Sequence, residues 1–192
     1  FDVVRAECFA VRERVGILDL TGFAKYDVTG SDAESYLNRI CANTMPAKQG
    51  GMVLAHVLSD AGRIGAEMTI TRLADNQFYV LSAAGAELRD LDYLTQARTA
   101  EEDVDIVNIT NDRGVLILAG PRSREVLAKV TEEKLDNASF RWLSGKETQV
   151  AGLSTRALRV NYVGELGWEL HPPMEHMETI FEALWQAGEE FG

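Results

Sequence analysis

The chain has 192 residues, 46% hydrophobic and 26% charged, long enough to bury a core in one large domain or two small ones. Thirty acidic against 19 basic residues give a formal net charge of −11 with no Lys/Arg cluster to offset it, which excludes nucleic acid as a partner. No apolar run approaches the ~18 residues of a membrane span and no signal-peptide pattern opens the chain, so it reads as soluble, with no membrane partner.

In chain order, Glu7 to Val15 set Cys8, Val11 and Val15 at helical spacing before Gly16 and predict a short helix. Ile17 to Val28 read as strand, interrupted at Thr21-Gly22. Thr29-Gly30-Ser31 then turns into a helix, with Ser31 and Glu34 spaced as a capping box and Ala33, Tyr36, Leu37 and Ile40 on one face. Val53 to Leu58 and Ile64 to Thr71 read as a hairpin around Ser59-Asp60-Ala61-Gly62. Asp75-Asn76-Gln77 is the next turn, Phe78 to Ser82 a strand, and Ala84 to Ala97 a helix with Leu88, Leu91 and Leu94 apolar. Asp90 and Asp92 on that helix are expected to face water.

The second half repeats the order. Val104 to Ile109 and Val115 to Ala119 read as strands, Gly120 to Ser123 as a turn and Ser123 to Val130 as a helix. Leu153 to Tyr162 and Trp168 to His171 form another strand pair before a helix from Met174 to Trp185. Gly120 with Ser123 to Leu127 resembles Gly30 with Ala33 to Leu37, 90 positions earlier, and Trp168 to His171 matches Phe78 to Leu81 at the same offset. Hairpins dominate, so the fold class is α+β: duplicated α/β units with antiparallel sheets and packed helices. The chain then reads as one domain, 1–192, with an internal repeat at roughly 16–103 and 104–192, and a ligand cleft is expected along the pseudo-symmetry axis. At this offset Tyr79 corresponds to Glu169 and Glu67 to Ala157.

No G-x-G-x-x-G after a strand, no phosphate-binding loop and no H-E-x-x-H occurs, so flavin, nicotinamide, nucleoside triphosphate and zinc have no recognisable motif here. His56, His171 and His176 lack metal-ligand spacing and read as surface or strand-edge residues without a role. Cys8 and Cys41, neither in a CxxC, read as reduced, mostly buried thiols and point to a reducing compartment such as the cytoplasm. Phe1 without an initiator Met, and an end at Gly192 just after a helical stretch, read as an excised piece.

Glu67 lies among small and apolar neighbours on its strand. It reads either as a solvated carboxylate or as one placed beside a developing amine or iminium cation. The segment Tyr162-Val163-Gly164-Glu165-Leu166-Gly167-Trp168-Glu169 is the densest motif. Its glycines allow a sharp turn, Tyr162 and Trp168 offer flat faces to a heteroaromatic ring, and Glu169 can accept paired hydrogen bonds from an aminopyrimidine edge. The same pattern also reads as a structural hairpin. Arg63 after the turn reads as exposed, or as a contact for an anionic tail.

Val15-Gly16-Ile17-Leu18-Asp19-Leu20-Thr21, the Gly30 and Gly120-Pro121 repeats, Asp60-Ala61-Gly62-Arg63-Ile64 and the segment from Tyr162 to Glu169 together resemble the glycine-cleavage T-protein (aminomethyltransferase) family. Cys41-Ala42-Asn43 and Gly62 to Glu67 resemble most the folate-binding part of dimethylglycine and sarcosine dehydrogenases. The resemblance implies a tetrahydrofolate-binding fold with the pterin in a central cleft, and transfer of a methylene unit from a methylated amine's iminium to the folate. Glu67 matches the family's catalytic carboxylate, although an Asp usually stands there. Tyr162 matches the pterin-site wall and Glu169 the pterin hydrogen-bond acceptor. Leu54 stands where many members carry a stacking Tyr. FAD is implied only in an upstream domain absent from this chain, and a C-terminal barrel is implied beyond it. A stand-alone aminomethyltransferase or demethylase is the alternative. A non-catalytic folate-binding protein ranks last, because Asn161-Tyr162-Val163-Gly164-Glu165 lacks the Cys of those relatives' motif.

Overall fold

The computed structural model describes residues 1–59 and 61–192; Asp60, placed by the sequence in the hairpin turn, lies outside the described residues. The elements are α1 (Asp2–Glu13), β1 (Gly16–Asp19), β2 (Ala24–Thr29), α2 (Ala33–Ile40), β3 (Met52–Leu58), β4 (Ile64–Ala74), β5 (Gln77–Ser82), α3 (Glu87–Ala97) and β6 (Asp105–Asn108), followed by β7 (Leu116–Ala119), α4 (Ser123–Ala128), β8 (Gly145–Val150), β9 (Leu153–Leu158), β10 (Gly167–His171) and α5 (Met177–Gly188). They fall into an inner unit, Gly22–Thr110, and a split unit, Phe1–Thr21 with Asn111–Gly192.

The inner unit is a five-stranded sheet, ordered β3-β4-β5-β2-β6, in which every pairing is antiparallel. Its core holds Tyr26, Tyr36, Leu37, Met68, Ile70, Phe78 and Leu94. All four apolar positions that the sequence assigned to one face of α2 are buried. The Tyr36 hydroxyl donates to Leu94 O at 2.6 Å and the Tyr26 hydroxyl to Glu87 O at 2.7 Å, so two buried phenols keep partners at α3 instead of being orphaned. Lys25 is fully buried, and its ammonium donates to Phe23 O and Thr110 O. Of the leucines expected on the apolar face of α3, Leu94 is buried and Leu88 is exposed. Asp90 corrects the expectation of a water-facing carboxylate: it is buried, because Arg89 folds back on it and donates to Oδ1 at 2.9 Å.

The expected capping box does not form. The N-cap of α2 is Asp32, and the Ser31 hydroxyl donates at 2.8 Å to Asp103, whose carboxylate also accepts from the Ser31 backbone. A carboxylate is a better acceptor than the hydroxyl is a cap, and it takes Ser31 away from the helix end. Glu34 pairs instead with Arg72 at 2.6 Å.

The split unit has the same plan, with sheet order β8-β9-β10-β7-β1 and a core of Leu116, Leu118, Phe140, Trp168, Leu170 and Leu184. The stretch from Ile17 to Val28, read as one interrupted strand, divides here. β1 pairs with β7 of the split unit and β2 with β5 and β6 of the inner one. Helix α1 starts earlier than the sequence suggested and buries none of its residues. Strand β8 has no signature in the sequence, since Gly145-Lys146-Glu147-Thr148-Gln149-Val150 is an edge strand whose polar middle carries no apolar alternation.

Equivalent elements begin 90 residues apart: α2 and α4 at Ala33 and Ser123, β5 and β10 at Gln77 and Gly167, α3 and α5 at Glu87 and Met177. Gly30 and Gly120 repeat the same backbone, with φ of 125° and 130°. A Cβ at Gly30 would meet Asp103 O at 2.1 Å and one at Gly120 would meet Arg14 O at 2.5 Å, so each strand-to-helix turn needs a residue without one.

Candidate functional site

In the inner unit the site is built on the outermost hairpin. Strand β4 alternates, burying Ala66 and Met68 and presenting Glu67, whose side chain is 54% exposed. The partner strand β3 is the sheet edge and sets His56 directly opposite Glu67. His56 Nε2 lies 3.1 Å from Glu67 Oε2. Leu54 and Leu58 stand two residues to either side of His56 and are exposed, as is Ile64 opposite Leu58. An ionisable pair thus sits in an exposed apolar patch. Leu54 itself pairs with Thr69. Arg63, before this hairpin's second strand, is exposed.

The outer edge of β3 is not open at His56. Its backbone N–H donates to Asn43 Oδ1 at 3.1 Å and its carbonyl accepts from the Ala42 N–H at 2.8 Å. The segment Cys41-Ala42-Asn43 is therefore an extra half-strand, continued by a bridge from Cys41 to Val57. Burial pushes the Cys41 thiol up to about 11.

In the split unit the segment from Tyr162 to Glu169 runs through an irregular turn into β10. Asn161 Oδ1 accepts the Val163 N–H at 2.7 Å and shapes the turn, while Gly164 takes φ of 79° in open space. Tyr162 is 88% exposed and Trp168 fully buried, so the two rings do not line one common surface. The Trp168 ring packs edge-on against Phe140, with centroids 6.1 Å apart, and lies under the Arg159 guanidinium. Gly167 is required by packing, since a Cβ there would meet Leu118 O at 2.6 Å.

Glu169 is a nearly buried carboxylate, with its side chain 8% exposed. His171, two residues on and on the same side of β10, brings Nε2 to 3.3 Å from Glu169 Oε2. Among the described residues His171 is that carboxylate's one hydrogen-bond partner, which leaves Oε1 free to accept. His171 corrects the surface or strand-edge reading: β10 lies between β7 and β9, and His171 is fully buried there.

Both candidate carboxylates therefore carry a histidine that sequence reasoning passed over. The Glu169–His171 pair was legible as an i, i+2 spacing on a strand. The His56–Glu67 pair depends on the hairpin register, which spacing alone does not set. Among the described residues no group of three or more His, Cys, Asp or Glu side chains could hold a metal. No helix of the described residues is long and apolar enough to cross a membrane.

The chain is 37% identical to mitochondrial dimethylglycine dehydrogenase of Rattus norvegicus over 193 aligned positions, covering 100% of this chain and 22% of the relative. It is 34% identical to sarcosine oxidase subunit alpha of Corynebacterium sp. (strain P-1), covering 98% of this chain and 20% of that one. The chain thus spans about a fifth of the length of these curated relatives. In fold it matches the glycine cleavage system aminomethyltransferase T of Bartonella henselae with a TM-score of 0.82 at 23% identity, over 93% of this chain and 47% of that one. The model of the GCVT N-terminal domain matches residues 1–192, and the chain belongs to that family.

Proposed function

We propose that this chain is a tetrahydrofolate-binding module that carries out one-carbon transfer within an enzyme acting on N-methylated amines, of the dimethylglycine or sarcosine dehydrogenase kind. The observation that carries the reading is the nearly buried Glu169 carboxylate with Oε1 unengaged among the described residues. Such a group is costly to desolvate unless a donor meets it, and an aminopyrimidine edge supplies two adjacent donors. Exposed Tyr162, seven residues earlier, offers a stacking face to the same pterin. The residues present therefore suit a folate.

When bound, tetrahydrofolate supplies the nucleophilic nitrogens that accept the methylene unit. The chain's own contribution is Glu67, a carboxylate set in an apolar patch with Leu54, Leu58 and Ile64, where it stabilises positive charge on a donor iminium or takes up a released proton. Leu54 adds apolar surface where an aromatic ring would stack. Trp168 supports the site as packing beneath Glu169's strand. The amine is a substrate delivered as its iminium, so FAD belongs to an upstream domain, and a C-terminal barrel completes the parent chain. The two thiols fit a reducing compartment, cytoplasmic or, as for the rat relative, mitochondrial.

Calorimetric titration of the chain with tetrahydrofolate tests the reading, paired with a transfer assay on the enzyme that contains it. Saturable binding and folate-dependent formation of 5,10-methylenetetrahydrofolate are expected. Absence of binding in both forms overturns the proposal.

A further inference from the structure

We infer that His56 is a positioning residue for the transfer reaction, holding the Glu67 carboxylate in place by a hydrogen bond from Nε2. The inference rests on the assignment of Glu67 to that chemistry. An ionised carboxylate only accepts hydrogen bonds, so at 3.1 Å the proton between the two groups belongs to Nε2. The ring is aimed by its backbone. His56 is cross-strand partner to Glu67, and beyond the sheet edge both its N–H and its carbonyl are bound by Asn43 and Ala42. A histidine on a free edge strand would have neither restraint. With Leu54 and Leu58 on either side, no other side chain of β3 on this face competes for the carboxylate. A glutamate has one more rotatable bond than an aspartate and needs the additional hold. The exposed apolar surroundings favour such a pair once a ligand covers them and excludes water.

The test uses His56→Leu, His56→Gln, Glu67→Gln and the double variant His56→Leu/Glu67→Gln, made in the enzyme that contains this chain. His56→Leu lowers kcat for methylene transfer about tenfold while the Kd for tetrahydrofolate stays within about twofold. His56→Gln, whose amide can donate over a similar reach, restores most of kcat. The double variant is no slower than Glu67→Gln alone. A second readout is independent of turnover: nitrogen-15 spectra of the histidines in the 192-residue chain show the proton on Nε2 of His56, and the resonance moves in Glu67→Gln. Wild-type kcat in His56→Leu, or additive losses in the double variant, overturns the inference and leaves Glu67 in place. Full activity in Glu67→Gln removes the catalytic reading instead, and an unmoved His56 resonance in that variant removes the hydrogen bond as well.

Discussion

Glu67 stands half in water beside a partly exposed imidazole, whereas Glu169 is almost wholly withdrawn from solvent beside a fully buried one. The difference sets different expectations for the two carboxylates. Glu67→Gln keeps the shape and removes the charge, so methylene transfer falls by about 100-fold or more while folate affinity changes little; retained transfer in a stopped assay contradicts the assignment. Glu169→Ala removes the nearly buried carboxylate to which the proposed function assigns the pterin's hydrogen bonds. Its folate Kd rises about 10- to 100-fold by titration, in line with loss of charge-assisted bonds, and an unchanged Kd takes Glu169 out of the pterin site.

The cysteines separate by burial in the same way. Cys41 is buried, as the sequence suggests for both thiols, and its thiol is pushed up to about 11, while Cys8 corrects that expectation: it is exposed, because α1 buries none of its residues. A chromogenic disulfide reagent at pH 8 therefore consumes one thiol quickly and the second only on unfolding. Because the folded-state value lies above the ordinary 9.0, burial of the neutral Cys41 thiol contributes stability in full below pH 9.0, and that contribution is lost as pH rises through about 11. Denaturant midpoints at pH 7 and pH 11 measure the loss, and Cys41→Ala abolishes this part of the alkaline sensitivity.

Among the elements, the two strand-to-helix turns carry the sharpest stability prediction. Gly30→Ala and Gly120→Ala each force a Cβ into a backbone carbonyl at positive φ, and each costs roughly 3 kcal/mol or more by chemical denaturation. Gly62→Ala is the control. Its φ is 71° but nothing lies within 4 Å of the added Cβ, so the cost stays at about 1 kcal/mol. Helices with a clear apolar face, such as α2, were legible because the i, i+3, i+4 pattern alone decides which side is buried. The edge strand β8 and the buried Asp90 were not. An edge strand lacks the apolar alternation that marks a strand in sequence, and an aspartate becomes burial-tolerant only when a neighbour such as Arg89 reaches it. Ser31 shows the same limit: a capping box is a local pattern, and the carboxylate of Asp103, distant in sequence, outcompeted it.

For the molecule as a whole, the sequence repeat begins near residues 16 and 104, but the compact units do not start there. β1 opens the first copy but pairs in the split unit, while β6 opens the second copy and closes the inner sheet. A fragment spanning 22–110 retains the whole inner sheet and is expected to unfold in one cooperative transition by circular dichroism. A fragment spanning 16–103 lacks β6, exposes the hydrogen-bonding edge of β2, and is expected to aggregate or melt at lower temperature. Equal stability of the two fragments contradicts this account. The sequence by itself determined the α+β class, the 90-residue period and the family resemblance, and singled out the two candidate carboxylates, because these rest on short-range periodicity and on motifs contiguous in the chain. Only the tertiary structure decided which sheet receives β1 and β6, that His171 is buried, and that His56 meets Glu67. Strand order and register are settled by hydrogen bonds between segments distant in sequence, for which no local pattern substitutes.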